Sequence, residues 1–341
     1  MHVENIVVVG FGNVGRSLAK LLAFKHEVVE RKYNVKLRVV AVLDSKGAVV
    51  KPQGLSPYEL LKLCSTPRSR LGYYEAYGEL GVGVEEVYSK VDPTIHVELT
   101  PSNYDTGEPG ISHILYAIRN GVHVVSANKA PFVLKYNEIM SEALNKNVLV
   151  RIKATVMAGT PLINLLMGLK GYDVKAVEGI LNGTVNYVLT EMHNKLISFN
   201  EALSKAQALG IAEANPYVDV SGLDAAAKLV IISNILGKPI ALHGIEREDA
   251  SRITVRKIYE AVRRGYVVKY IAKLDLEEEK AYVKLIETPL NDVLAKVEGT
   301  FNGVKITTDV NNIVVIGKGA GGIETAHAVL DDIIDIALGR P

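Results

Sequence analysis

The segment Asn5–Ala23, NIVVVGFGNVGRSLAKLLA, constrains the fold more than any other. An apolar, β-branched run at Ile6–Val9 stops at Gly10, Gly12 and Gly15, spaced G-x-G-x-x-G. Apolar residues then recur at helical spacing: Val14, Leu18, Leu21 and Leu22. A strand that turns straight into a helix opens a βαβ unit, and such units build parallel sheets covered by helices on both faces. Each glycine has a separate task. Gly10 allows the tight turn, Gly12 lets the backbone approach a pyrophosphate, and Gly15 lets the helix pack closely on the strand. The start of the helix, with Asn13 and Val14, offers free N–H groups and a positive dipole end to phosphates.

A second strand, LRVVAVLDSKG, ends at Asp44. An acidic residue there accepts from the ribose hydroxyls of an adenosine. It lies further from the glycines than usual, so the intervening helix must be long or followed by a loop. The alternative is that Asp44 and Ser45 only make a turn. Lys46 beside them suits a 2′-phosphate. Asp44 favours NAD and Lys46 favours NADP, and the choice stays open. Residues 47–90 read as irregular, with one helix around Pro57–Cys64 that Ser56 caps. The strand Ile95–Leu99, the helix ISHILYAIRNG and the strand HVVSANKAPF follow. Ligands of open parallel sheets bind beyond the carboxyl ends of the strands. That makes Thr100, Pro101, Ser102, Ala127 and Lys129 cofactor-site candidates, although Lys129 alone reads equally well as a surface lysine.

From about residue 151 the pattern changes. AVEGILNGTVNYVLTEMHNKL reads as a strand, a turn at Asn182-Gly183-Thr184 and a helix. Two helices joined by a polar loop with Glu213 and Asp219 follow, then alternating β-like segments from Tyr266 to about Val315. The chain closes with a glycine loop and a helix. The expected fold is α/β. A Rossmann-type, mostly parallel sheet domain spans 1–150 and is completed by a C-terminal helix at 317–341. An α+β domain over 151–316 serves substrate binding, catalysis and dimerisation.

Ser221–Leu229, SGLDAAAKL, carries the most informative charges. Ser221 and Asp224 match a helix-capping pattern, and Asp224 and Lys228 stand i, i+4, as in a surface ion pair. The neighbours point elsewhere. Leu223, Ala225–Ala227, Leu229–Ile232, Ile235 and Leu236 leave almost no polar face, and the Asp224–Lys228 line runs on into Ile231, Ile232 and Ile235. A helix apolar all round is normally buried, and charges there need partners or a task. Desolvation lowers the basicity of a buried lysine, which suits it to proton transfer near neutral pH.

Composition narrows the partners. The chain has 341 residues, enough for two domains, with 39 Lys plus Arg against 38 Asp plus Glu. That balance gives no basic surface for nucleic acid or anionic membranes. Cys64 is the single cysteine, so no internal disulfide forms and no cysteine-based metal site exists. The N-terminus runs directly into a strand, and no apolar run reaches membrane-spanning length. The expectation is a soluble, cytoplasmic protein acting on a small molecule.

Taken in order, GFGNVG, ELTPSN, SANKAPF, TVMAGTPLI, GILNGTVNY, LGIAEANPYVDVSGLDAAAK and GKGAGG…TA resemble the homoserine dehydrogenases along nearly the whole chain. The sixth motif is the most specific. The resemblance implies reduction of aspartate-4-semialdehyde to homoserine with NADH or NADPH, on the route to threonine and methionine, by a homodimer. It assigns Glu213 and Asp224 to the amino-acid end of the substrate, with Asp219 nearby and Thr184 and Tyr187 as further contacts. It makes Lys228 the proton donor, aided by Lys129, and brings Gly210, Gly319 and Gly321 toward the nicotinamide.

Two positions depart from the family. A glutamate usually stands three residues before the Val of TV-x-x-G, beside a monovalent cation held by backbone carbonyls at positions matching Val156, Ala158 and Thr160. Here it is Lys153, so the expectation is that an ammonium replaces the ion or the site is lost. The usual Gly-Pro-Gly is Gly317-Lys318-Gly319. No regulatory domain is expected. The competing readings are another two-domain NAD(P) oxidoreductase acting on an amino acid or sugar, and a non-catalytic nucleotide sensor.

Overall fold

The computed structural model describes residues 2–339. The chain divides into two compact units, residues 1–155 with 321–341, and residues 156–320. The final helix starts at Gly322, not at 317. Residues 312–318 form a strand of the second unit instead.

In the first unit, β1 (His2–Val9) enters α1 (Asn13–Tyr33), and β2 (Val35–Asp44) follows. The long reach from the glycines to Asp44 is therefore filled by helix, which ends where Asn34 adopts a left-handed conformation. Residues 47–90 are more ordered than their composition suggests. They contain β3 (Gly47–Val50), α2 (Pro57–Leu63), β4 (Gly78–Leu80) and α3 (Val84–Tyr88). Ser56 caps α2 in a full capping box with Glu59. Then come β5 (Ile95–Glu98), α4 (Gly110–Arg119), β6 (His123–Ser126), α5 (Ala130–Leu134), α6 (Tyr136–Lys146) and β7 (Val150–Arg151).

The sheet order is β4-β3-β2-β1-β5-β6-β7. Pairing is parallel from β2 to β7 and antiparallel for β2–β3 and β3–β4. Both faces of β1 are buried. Ile6 and Val8 pack with Leu18 and Leu22 of α1, while Val7 and Val9 pack with Val84 and Val87 of α3. That two-sided cover explains why the strand reads as a continuous apolar run.

In the second unit, α7 (Leu162–Gly168) precedes β8 (Val174–Ile180), α8 (Gly183–Lys195), α9 (Phe199–Ala208), α10 (Tyr217–Val220) and α11 (Leu223–Ile235). A short β9 (Glu246–Arg247), α12 (Val255–Arg263), β10 (Tyr266–Asp275), β11 (Lys280–Pro289), β12 (Phe301–Thr308) and β13 (Asn312–Lys318) complete it. The sheet order is β13-β12-β8-β10-β11-β9, antiparallel except at β9. The last helix, α13 (Gly322–Ala337), packs on α1 in the first unit. Among the described residues no helix is long and apolar enough to cross a membrane.

Candidate active site: a nucleotide pocket and a buried carboxylate–lysine cluster

The glycine turn of the first unit opens onto a cavity of about 650 Å³. Gly10 has φ +103°, and a Cβ there would lie 2.5 Å from the Leu99 carbonyl carbon. A Cβ on Gly15 would lie 2.4 Å from the Gly10 oxygen. Only glycine lets β1, α1 and β5 meet this closely. A Cβ on Gly12 would meet nothing within 4 Å, so the space beside it is open to a phosphate. The residues fit an NAD(P) dinucleotide: an open glycine cradle, a helix N-terminus at Asn13 and Val14, and Asp44, Ser45, Lys46, Thr100 and Pro101 on the walls.

Asp44 also makes the turn. Its carboxylate accepts from the amides of Lys46 at 2.9 Å and Leu71 at 3.0 Å. An ionised carboxylate offers about four lone-pair positions, so this leaves capacity for a ribose hydroxyl. Ser45 and Ser69 hydroxyls lie 3.0 Å apart, and Arg68 donates to the Asn13 side chain at 2.6 Å. Arg68 also lines the pocket and escaped notice in the sequence because it sits in a loop of no recognisable pattern.

Asn128 was passed over as well. Its buried side chain accepts from Ser102 at 2.9 Å and donates to the Thr100 hydroxyl at 3.1 Å, joining the loops after β5 and β6. The Ser102 hydroxyl accepts from the Lys129 amide at 3.0 Å, and Lys129 is the residue just before α5, following Ala127 and Asn128. At the end of β5, Glu98 is wholly buried. It accepts from His113 Nδ1 at 2.9 Å and faces His96 Nε2 at 3.3 Å, and it also takes the Thr100 amide and hydroxyl. Burial alone would raise the Glu98 carboxyl, but the two histidines outweigh it and hold it at about 2.

In the second unit, nine consecutive residues of α11, Ala225–Ser233, are buried, and Lys228 is one of them at 5% exposure. Its Nζ lies 2.8 Å from Asp224 Oδ2 and donates to the Leu181 carbonyl at 2.6 Å. Asn182 binds the cluster together. Its oxygen caps α8 through the Val185 amide, and its amide donates to Asp219 at 2.7 Å and Asp224 at 3.2 Å. Burial raises the Asp219 carboxyl, the neighbouring Asp224 charge raises it further, and the Asn182 and Thr184 hydrogen bonds pull against both.

The expected serine cap is absent. Ser221 ends α10, its hydroxyl is buried without a partner among the described residues, and α11 starts instead at Gly222 with φ +76°. A Cβ on Gly222 would lie 2.5 Å from the Tyr270 hydroxyl. Glu213 is exposed, and among the described residues its carboxylate makes no bond to this cluster. Tyr187 lines a separate cavity of about 670 Å³ with Ile211 and Thr300. Gly210 follows α9 in a left-handed turn with open space beside it. Gly317 and Gly319 have packing reasons of their own. A Cβ on the first would lie 2.2 Å from the Thr160 hydroxyl oxygen, and one on the second 2.0 Å from the Asn302 side chain. Thr160 donates to the Lys318 carbonyl at 3.0 Å, so the lysine stands at the bonded end of β13. Gly321, with φ +127°, leads into α13.

Lys153 carries an ion pair of its own. Its Nζ lies 2.5 Å from Asp331, 2.6 Å from Asp335 and 3.6 Å from Asp332, all on α13. Burial pushes the Asp332 carboxyl up to about 7 against the pull of Lys153. In the second unit Met157 and Ala158 hold φ of 60° and 46°, a strained turn for residues other than glycine.

With the strand–glycine–helix cradle and a buried Asp–Lys pair on α11 in hand, comparison with known proteins decides the family. Residues 10–153 match the NAD-binding domain model of homoserine dehydrogenase, and residues 161–334 match the homoserine dehydrogenase model. The chain belongs to the homoserine dehydrogenase family. It is 40% identical over 340 residues to the homoserine dehydrogenase of Methanocaldococcus jannaschii, covering 97% of this chain and 98% of that one. A putative homoserine dehydrogenase from Archaeoglobus fulgidus superposes with a TM-score of 0.87 at 33% identity, over 98% of this chain and 99% of that one. A hyperthermophilic archaeal homoserine dehydrogenase in complex with NADPH gives 0.85 at 28% identity, covering 99% of both chains. The chain is therefore an NAD(P)-dependent oxidoreductase that interconverts aspartate-4-semialdehyde and homoserine in threonine and methionine biosynthesis.

Proposed function

We propose that Lys228 is the proton donor of the reduction and that Asp219 and Asp224 receive the substrate ammonium. One observation carries this reading. Two of the three Nζ hydrogens of Lys228 have acceptors, Leu181 O and Asp224, and the third has no protein partner among the described residues. Bound NAD(P)H supplies the hydride. As negative charge grows on the aldehyde oxygen, the ammonium stabilises it and releases a proton to it, while Asp224 holds the side chain in place. Asp219 and Asp224, joined through one Asn182 amide, concentrate negative charge where an α-ammonium is to be held. Thr184, which bonds Asp219, supports that end. Glu213, exposed on the loop before α10, is a substrate contact by the family resemblance alone, and Tyr187 lines a different cavity. Homoserine oxidation by K228A at saturating dinucleotide tests the assignment, and turnover within a few-fold of the parent enzyme overturns it.

For the cofactor we infer a preference for NADP. Lys46 and Arg68 lie beside Ser45 and Ser69 on the pocket wall, a set of cations and hydroxyls suited to a 2′-phosphate. A KM for NADP at or above that for NAD argues against it. We infer a cytoplasmic homodimer paired through the sheet of the second unit. Phe301, Val314 and Ile316 leave an exposed apolar face on β12 and β13, and β13 is an open edge. For the cation, the Lys153 ammonium is fixed by Asp331 and Asp335 of α13, and we infer that the enzyme needs no monovalent ion.

A further inference from the structure

We propose that His113, oriented by Glu98, reads the amino edge of the cofactor's adenine base. The inference rests on the pocket being the adenosine end of the dinucleotide site. Beside the glycine cradle that pocket is lined by apolar groups suited to the faces of a flat ring: Leu43, Val82, Val84, Leu99, Pro101 and Pro109. A base in such a slot gains burial but no identity unless a polar group meets its edge. Thr100 is not that group, because its hydroxyl is committed to Glu98 and to the Asn128 amide. His113 also lines the pocket. Its Nδ1 is taken by Glu98 at 2.9 Å, and its Nε2 has no protein partner among the described residues.

Glu98 determines what Nε2 offers. An ionised carboxylate only accepts, so the Nδ1 position carries the proton, and when the ring is neutral Nε2 is an acceptor. The matching donor on adenine is the exocyclic amino group. Glu98 is itself held from the other side by His96, whose Nδ1 lies 3.1 Å from the Tyr88 hydroxyl. The carboxylate cannot swing away without stranding two imidazoles and the Thr100 amide. His113 is thus a cofactor-binding residue and Glu98 a positioning residue behind it, and neither contributes to proton transfer.

The experiment compares NADP with its deamino analogue, nicotinamide hypoxanthine dinucleotide phosphate, which carries a carbonyl where adenine carries the amino group. Both are titrated calorimetrically into the full chain without substrate. The parent protein is expected to bind NADP about tenfold tighter than the analogue, the scale of one buried hydrogen bond. H113F keeps a ring of similar size and should bind the two alike. H113Q, whose amide oxygen also accepts, should recover part of the difference. E98Q keeps its shape but loosens the imidazole, and should narrow the ratio to about threefold. Equal binding of the two dinucleotides by the parent protein, which needs no variant to fold, overturns the inference, as does full discrimination by H113F. Failure of the parent to bind either dinucleotide overturns the assignment of the pocket along with it.

Discussion

The glycine turn of the first unit and the Asn182–Asp219–Asp224–Lys228 cluster of the second both prepare a ligand site, by opposite means. The turn works by leaving atoms out. Gly10 and Gly15 allow close approach, Gly12 leaves open space, and what faces that space at the start of α1 is backbone. The cluster works by placing charge where it is expensive. Lys228 is buried in a helix with no polar face and is held by Asp224 and a carbonyl. A backbone cradle tolerates many side chains but no added Cβ. A side-chain cluster tolerates backbone variation but no lost partner, because a buried charge left alone costs several kcal/mol.

The difference is open to experiment in descending order of effect. K228A should lower kcat by about a thousandfold while the NADP dissociation constant, read by calorimetry, stays within about threefold. Loss of dinucleotide binding in that variant would break the separation of the two regions. G15V should do the reverse. Its Cβ falls 2.4 Å from the Gly10 oxygen, so NADP affinity should weaken by about a hundredfold or more, with the second unit's thermal transition retained. N182A removes the amide that joins Asp219 to Asp224, and should raise the KM for homoserine by about tenfold with a smaller effect on kcat.

Stability gives a further contrast. The folded Asp332 carboxyl sits at about 7, above the roughly 3.9 of an unfolded aspartate, so what it contributes is complete below about pH 4 and lost as pH rises through 7. Asparagine cannot ionise. Urea unfolding should show D332N gaining on the parent between pH 5 and pH 8 by on the order of 2 kcal/mol. The smallest effect concerns cations: turnover in sodium, potassium or tetramethylammonium buffers should agree within about twofold, and a steep rise with sodium or potassium would count against the Lys153 reading.

Much of the first unit was legible because its signals are local. Strand, glycines and helix lie within about twenty residues, and the apolar run follows from two-sided burial. The two short strands β3 and β4 were missed, since three or four residues among prolines and glycines carry no periodicity. In the second unit the burial of Lys228 was readable from its neighbours, but the cap was misjudged. Ser221 matches the capping pattern, yet the chain enters α11 through a left-handed Gly222 packed against Tyr270 from β10, and that contact spans nearly fifty residues.

The sequence by itself determined where the glycine turn lies and which lysine must be buried, because both follow from neighbours within a turn or two of chain. The tertiary structure alone decided what each charge faces. Asn182 meets Asp219 and Asp224, His113 meets Glu98, and Lys153 meets α13 across just over half the chain. The physical reason is that a buried polar group must be satisfied by whatever the fold brings near, and no local pattern records that partner.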